Sequence, residues 1–105
     1  SRLAAHTGDM LAHPRVSLMV MSADAGAAQS RARVTLQADA LALENGSAEH
    51  AAAKAGYLAR FPHAAHIFEL GDFSLFRLRP ISARVVGGFA QAFSVDAAGI
   101  EQALR

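Results

Sequence analysis

Four side chains at the front of the chain are of the kinds that bind anions. Ser1, Arg2, His6 and Thr7 cluster at the start of an expected helix, where backbone N–H groups lack intrahelical partners and the helix dipole favours negative charge. That is a phosphate site in outline. A second set follows at Arg31 and Arg33, which flank the start of an extended segment. Arg33 alternates onto the same strand face as Thr35 and Gln37, so guanidinium, hydroxyl and amide donors would line it. The alternative for this set is a solvated, polar sheet face.

Other chemistry finds less support. His63 and His66 are three apart and could share a helix face, but no third ligand stands nearby, and surface histidines are the plainer reading. The acidic residues are scattered singly; Asp72 after Gly71 and Asp96 before a helix look like turn and cap residues. No serine sits in a G-x-S-x-G frame, and the absence of cysteine removes thiolate nucleophiles, thiolate metal sites and disulfides. The sequence therefore nominates no catalytic acid, base or metal centre.

Hydrophobic spacing predicts the elements that must position these groups. Leu3 to Leu11 has helical periodicity, and Pro14 ends it near Ala12. Val16 to Met21 is apolar on both faces and reads as a central strand covered on both sides. Ala23 to Ser30 is a hairpin-type loop. Arg33 to Ala40 alternates, with a phase slip that predicts a bulge or bend near Ala40. Asn45-Gly46 is a turn, Ser47 an N-cap with Glu49 in the first turn, and the alanine-rich helix that follows breaks at Phe61-Pro62. A shorter helical piece, His63 to Leu70, is expected to end on a left-handed Gly71. Asp72 to Arg79 reads as a strand halted by Pro80, Ile81 to Val86 resumes it, and Gly87-Gly88 permits a turn. Phe89 to Val95 continues as a strand, and Asp96 caps a last helix. The order is not that of a Rossmann sheet; it predicts an α+β fold with a curved, largely antiparallel sheet.

Composition bounds the function. The chain has 105 residues, 52% hydrophobic and 18% charged, enough for one domain spanning 1–105. A formal net charge of +1 does not supply the field that nonspecific nucleic-acid binding needs. Val85 to Val95, the longest mostly apolar stretch without a charge, is too short to span a bilayer. The cysteine-free composition fits a cytoplasmic setting. No initiator Met and no secretory signal open the chain, so Ser1 is expected to be a cut end with structure upstream.

Several segments in register then carry a family resemblance. Ser1-Arg2-Leu3-Ala4-Ala5-His6-Thr7, followed by His13-Pro14-Arg15-Val16-Ser17-Leu18 and Arg33-Val34-Thr35-Leu36, resembles the pyridoxamine 5′-phosphate oxidase-like FMN-binding split-barrel family, best in its haem-utilisation (HugZ-like) branch. Tyr57-Leu58-Ala59-Arg60-Phe61-Pro62, Gly71-Asp72-Phe73-Ser74-Leu75-Phe76-Arg77-Leu78 and Val86-Gly87-Gly88-Phe89-Ala90-Gln91-Ala92 agree in order, so the resemblance covers nearly the whole chain. It implies a six-stranded antiparallel split barrel, lacking its first strands here, that dimerises and holds FMN between protomers. It also makes Ser1, Arg2, His6, Thr7 and Arg33 the cofactor-binding candidates. The chain departs from the family at Gly8-Asp9, where members often carry Arg-Asn, and at Gln91, near which they often carry a basic residue.

Three functions follow as expectations. The first is an FMN-dependent oxidoreductase, in which the cofactor carries the redox chemistry and the protein orients it. The second is a haem-binding or haem-degrading protein on the same fold, and the third a noncatalytic flavin-binding dimer. The homodimer has its own argument, because a mean hydropathy of +0.20 together with strands apolar on both faces leaves more apolar surface than one small barrel conceals. The substrate is a small molecule of unspecified class.

Overall fold

The computed structural model describes residues 1–23, 32–87 and 91–104. Its elements are α1 (Ala5–Ala12), β1 (Arg15–Met21), β2 (Arg33–Ala42), α2 (Ala48–Arg60), a 3-10 turn (Pro62–Ala64), α3 (Ala65–Glu69), β3 (Phe76–Val86), β4 (Ala92–Asp96) and α4 (Ala97–Ala103). The strands form one four-stranded antiparallel sheet in the order β1-β2-β3-β4, not closed among the described residues. The α+β expectation holds at this level, with four strands among the described residues. Two compact units divide the chain: Ser1–Pro14 with Ala40–Arg77, and Arg15–Asp39 with Leu78–Arg105.

Local chemistry accounts for the helices of the first unit. Gly46 has φ +84, a left-handed conformation that glycine adopts without steric cost, and so turns the chain into α2. Ser47 Oγ accepts the His50 N–H at 3.1 Å and donates to the Glu44 carbonyl at 2.7 Å, a satisfied N-cap. Glu49 in the first turn also receives Arg77 Nη1 at 3.0 Å. Phe61 leaves helical geometry at φ −129, and Pro62 opens the 3-10 turn, where its missing N–H costs nothing. The expected left-handed Gly71 is not observed; α3 ends through an extended Leu70 (ψ 121) whose N–H bonds to the Ile67 carbonyl. Ser47→Ala is expected to lower stability by about 1 kcal/mol, the usual cost of losing such a cap. Urea denaturation measures it as a lower midpoint at unchanged slope.

The strands correct three expectations. β1 is an edge strand rather than a central one, and all its residues except Val16 are exposed. Periodicity reads the side chains on the two faces, whereas the place in the sheet is set by backbone pairing along the edges, and β1 pairs with β2 on one edge. β1 and β2 pair in unbroken register from Arg15↔Asp39 to Met21↔Arg33, and the Ala40 N–H to Pro14 carbonyl bond of 2.8 Å continues the ladder. β2 runs on through Ala40, the position of the expected bulge or bend, to Ala42. Pro80 does not halt β3. The β3–β4 register runs from Val86↔Ala92 to Ser82↔Asp96, so β4 has ended before Pro80 and that side has no ladder bond for the proline to remove. The strand starts at Phe76 rather than Asp72, whose carbonyl takes the Arg2 N–H in a turn. Asp96 caps α4 as expected, accepting the Gly99 N–H at 2.8 Å. Most of the expected Ala23–Ser30 loop, Arg31, and Gly88, Phe89 and Ala90 of the expected turn and last strand lie outside the described residues.

Burial is carried by small side chains. Ala38, Ala40, Ala64 and Ala83 are the buried apolar residues among those described, and no large side chain is fully enclosed. Leu18, Met19, Val20 and Met21 stay exposed on β1. No helix among the described residues is long and apolar enough to cross a membrane.

Candidate functional site

The N-terminal cluster is anchored on the turn that precedes β3. Ser1 Oγ donates to Asp72 Oδ2 at 2.7 Å and accepts the Leu3 N–H at 3.1 Å. The Arg2 backbone N–H donates to the Asp72 carbonyl at 2.7 Å, which fixes the main chain whatever the Arg2 side chain does. The Arg2 guanidinium is exposed, with one long contact of 3.5 Å to the Gly71 carbonyl and no carboxylate partner among the described residues. Asp72 is thus both the turn residue read from the sequence and the tether of the N-terminal segment. Asp72→Ala is expected to loosen that segment by about 1 kcal/mol, below the usual range for a charged hydrogen bond because the pair is only part-buried. Faster amide exchange at Leu3 measures it.

His6 and Thr7 lie in the first turns of α1. His6 is exposed, whereas Thr7 is 3% exposed, the buried polar residue among those described. The N-cap, Ala4, makes no side-chain cap bond, so the first turn offers N–H groups without a side-chain acceptor. Arg33 belongs to the other unit. It stands on β2 opposite Met21 and lines a cavity of about 240 Å³ with Val20, Val34 and Val85. The structure therefore joins Ser1 and Arg2 on one turn, sets His6 and Thr7 on the adjoining helix, and places Arg33 on a strand with apolar neighbours. Arg31, the other arginine read as flanking that strand, is outside the described residues.

A further constellation in the first unit went unread in the sequence. His50 and Lys54 line a cavity of about 390 Å³ with Asn45, Phe68 and Phe73. His50, Phe68 and Phe73 also line a neighbouring cavity of about 320 Å³, together with Tyr57 and Leu75. The legible signal was the spacing of His50, Lys54 and Tyr57 along one face of α2. Phe68 and Phe73 join them only through tertiary folding. Tyr57 and Phe68 meet edge to face with ring centroids 5.8 Å apart, and Lys54 Nζ lies 5.3 Å from the Phe68 ring centroid. His66 Nδ1, in the tautomer that carries its proton, donates to the His63 carbonyl at 2.8 Å, and no three metal-ligating side chains gather among the described residues.

Comparison with known proteins places these residues in context. No family model matches the chain. It is 39% identical over 93 residues to a chloroplastic non-canonical heme oxygenase, HOZ, of Arabidopsis thaliana, an alignment covering 89% of this chain and 27% of that protein. A solved heme-binding protein from Mycobacterium smegmatis is 31% identical with a TM-score of 0.86, covering 94% of this chain and 40% of the other. A further solved chain, also 31% identical, matches with a TM-score of 0.81 over 93% of this chain and 62% of its own. The chain spans about a quarter of the length of the curated relative and under two thirds of either solved chain. Nearly all of it is thus similar to one segment of longer proteins, of which one is named a heme oxygenase and another a heme-binding protein.

Proposed function

We propose that this chain is a haem-binding segment of the pyridoxamine 5′-phosphate oxidase-like split-barrel family, in its haem-utilisation branch, and that its four-stranded sheet is part of such a barrel. The observation that carries this reading is the 39% identity to a heme oxygenase across 89% of the chain. Of the two cofactors expected from the sequence, haem is the one that the relatives' names support, which favours the second of the three expected functions over an FMN oxidoreductase.

The N-terminal residues fit such a group. Haem is a planar apolar ring carrying carboxylates, and this segment combines the exposed Arg2 guanidinium, without a carboxylate partner among the described residues, and the exposed His6 with two exposed leucines, Leu3 (91%) and Leu11 (63%). Arg2 and His6 would hold a propionate, Ser1 and the buried Thr7 would keep the segment in place, and Arg33 is a candidate for an anionic contact on β2. When bound, haem supplies redox chemistry at its iron. The exposed apolar residues of β1 would be covered by a second copy of the chain, a homodimer. Zero cysteines fit a reducing compartment, either the cytoplasm or the plastid setting of the heme oxygenase relative.

A flavin reading rests on one separate observation, the first turn of α1 that lacks a side-chain cap and so suits the phosphate of FMN. Absorption spectra separate the readings. Hemin titration is expected to give a saturable Soret band, while protein as purified shows no flavin bands. Flavin bands without hemin binding would overturn the haem reading in favour of FMN. Silence in both experiments would leave only a structural dimer.

A further inference from the structure

We infer that the cavity between α2, α3 and the segment leading to β3 is a binding site for a small aromatic carboxylate; its wall reaches Gly71, whose carbonyl the Arg2 guanidinium touches at 3.5 Å. Its volume of about 390 Å³ falls within the range of small-molecule sites. Three polar side chains line it without a hydrogen-bond or ion-pair partner among the described residues: Asn45, His50 and Lys54. The Ser47 cap uses the His50 backbone and leaves its ring unengaged. The nearby carboxylate of Glu49 is paired with Arg77 rather than Lys54.

The opposite chemistry comes from Phe68 and Phe73, with Phe68 already bearing the Lys54 ammonium 5.3 Å from its ring centroid. This combination selects the ligand class by elimination. A neutral apolar ligand would cover the ammonium without offering it a counter-charge, which costs free energy. A cation would meet Lys54 at close range. A bare inorganic anion would pair with Lys54 but leave both phenylalanine rings uncovered. A flat aromatic body carrying one carboxylate satisfies both halves: the ring packs on Phe68 and Phe73, and the carboxylate takes Lys54 with Asn45 or His50 as hydrogen-bond donors. The adjoining cavity of about 320 Å³, which shares His50, Phe68 and Phe73, gives the aromatic body room to extend toward Tyr57.

Benzoate, its neutral isostere benzamide, and inorganic phosphate test this in ¹H–¹⁵N spectra of the full chain. Benzoate is expected to shift the amides of His50, Ala51, Lys54 and Phe68 saturably, with benzamide and phosphate each at least tenfold weaker. Lys54→Gln should reduce benzoate to the affinity of benzamide, and Lys54→Arg, which keeps the charge, should retain the preference. The hemin titration of the wild-type chain reads haem binding independently of Lys54, and Lys54→Gln should leave it unchanged, so failure here and failure of the haem reading are told apart. Equal binding of benzoate and benzamide, phosphate shifts as strong as those of benzoate, or loss of the preference in Lys54→Arg would each overturn the assignment.

Discussion

Ala38→Leu is expected to lower the stability of this protein by about 3 kcal/mol, the upper part of the range for forcing extra methylenes into a closed site. Ala38 is 0% exposed, sits on β2 opposite Val16, and belongs to a buried apolar set made only of alanines among the described residues. Where burial is achieved by small side chains, backbones and neighbours have come close, and a leucine finds no void to fill. For a chain of this length a loss of that size lowers the melting temperature by about 10 °C or more. The control lies one residue away. Gln37 points to the other face of the strand, is exposed, and makes only a 3.4 Å contact to Ser17 Oγ. Gln37→Leu should change stability by less than about 0.5 kcal/mol. Calorimetry showing the two variants melting together would mean that Ala38 is not closely surrounded.

Arg2→Ala is expected to weaken hemin binding at least tenfold, read as the dissociation constant in a Soret titration. The magnitude follows from a charged hydrogen bond of about 1.5–3 kcal/mol, since about 1.4 kcal/mol is a factor of ten. The substitution is a clean test because two separate groups of Arg2 do separate work. Its backbone N–H is tied to the Asp72 carbonyl and survives the change, while its guanidinium has only a 3.5 Å contact to the Gly71 carbonyl. Removing the side chain therefore deletes a cation without releasing the turn. Arg2→Lys should recover only part of the affinity, because an ammonium keeps the charge but not the paired donors of a guanidinium. Raising the salt concentration should narrow the difference between wild type and Arg2→Ala, as an exposed contact is screened. An unchanged hemin constant in Arg2→Ala would remove Arg2 from the site while leaving haem binding itself to be judged by the wild-type titration.

The amino-acid sequence by itself determined whatever depends on neighbours within a few positions. Asn45-Gly46, the Ser47 cap, the break at Phe61-Pro62 and the Asp96 cap all stand where local chemistry put them, because a turn or a cap is satisfied by groups one to four residues away. The order of helices and strands and the α+β class follow from the same local rules. What covers each face and edge was decided by pairing across long stretches of sequence. Thus β1, apolar on both faces, became an edge strand, and Pro80 stayed inside β3 because β4 had already ended. The candidate site divides in the same way. Anion-binding residue types at the chain's front were legible, but that Ser1 would be held by Asp72, and that Lys54 would meet Phe68 beside a cavity, required segments far apart in sequence to come together. Residue type sets what a side chain can bind; only the fold supplies the second partner.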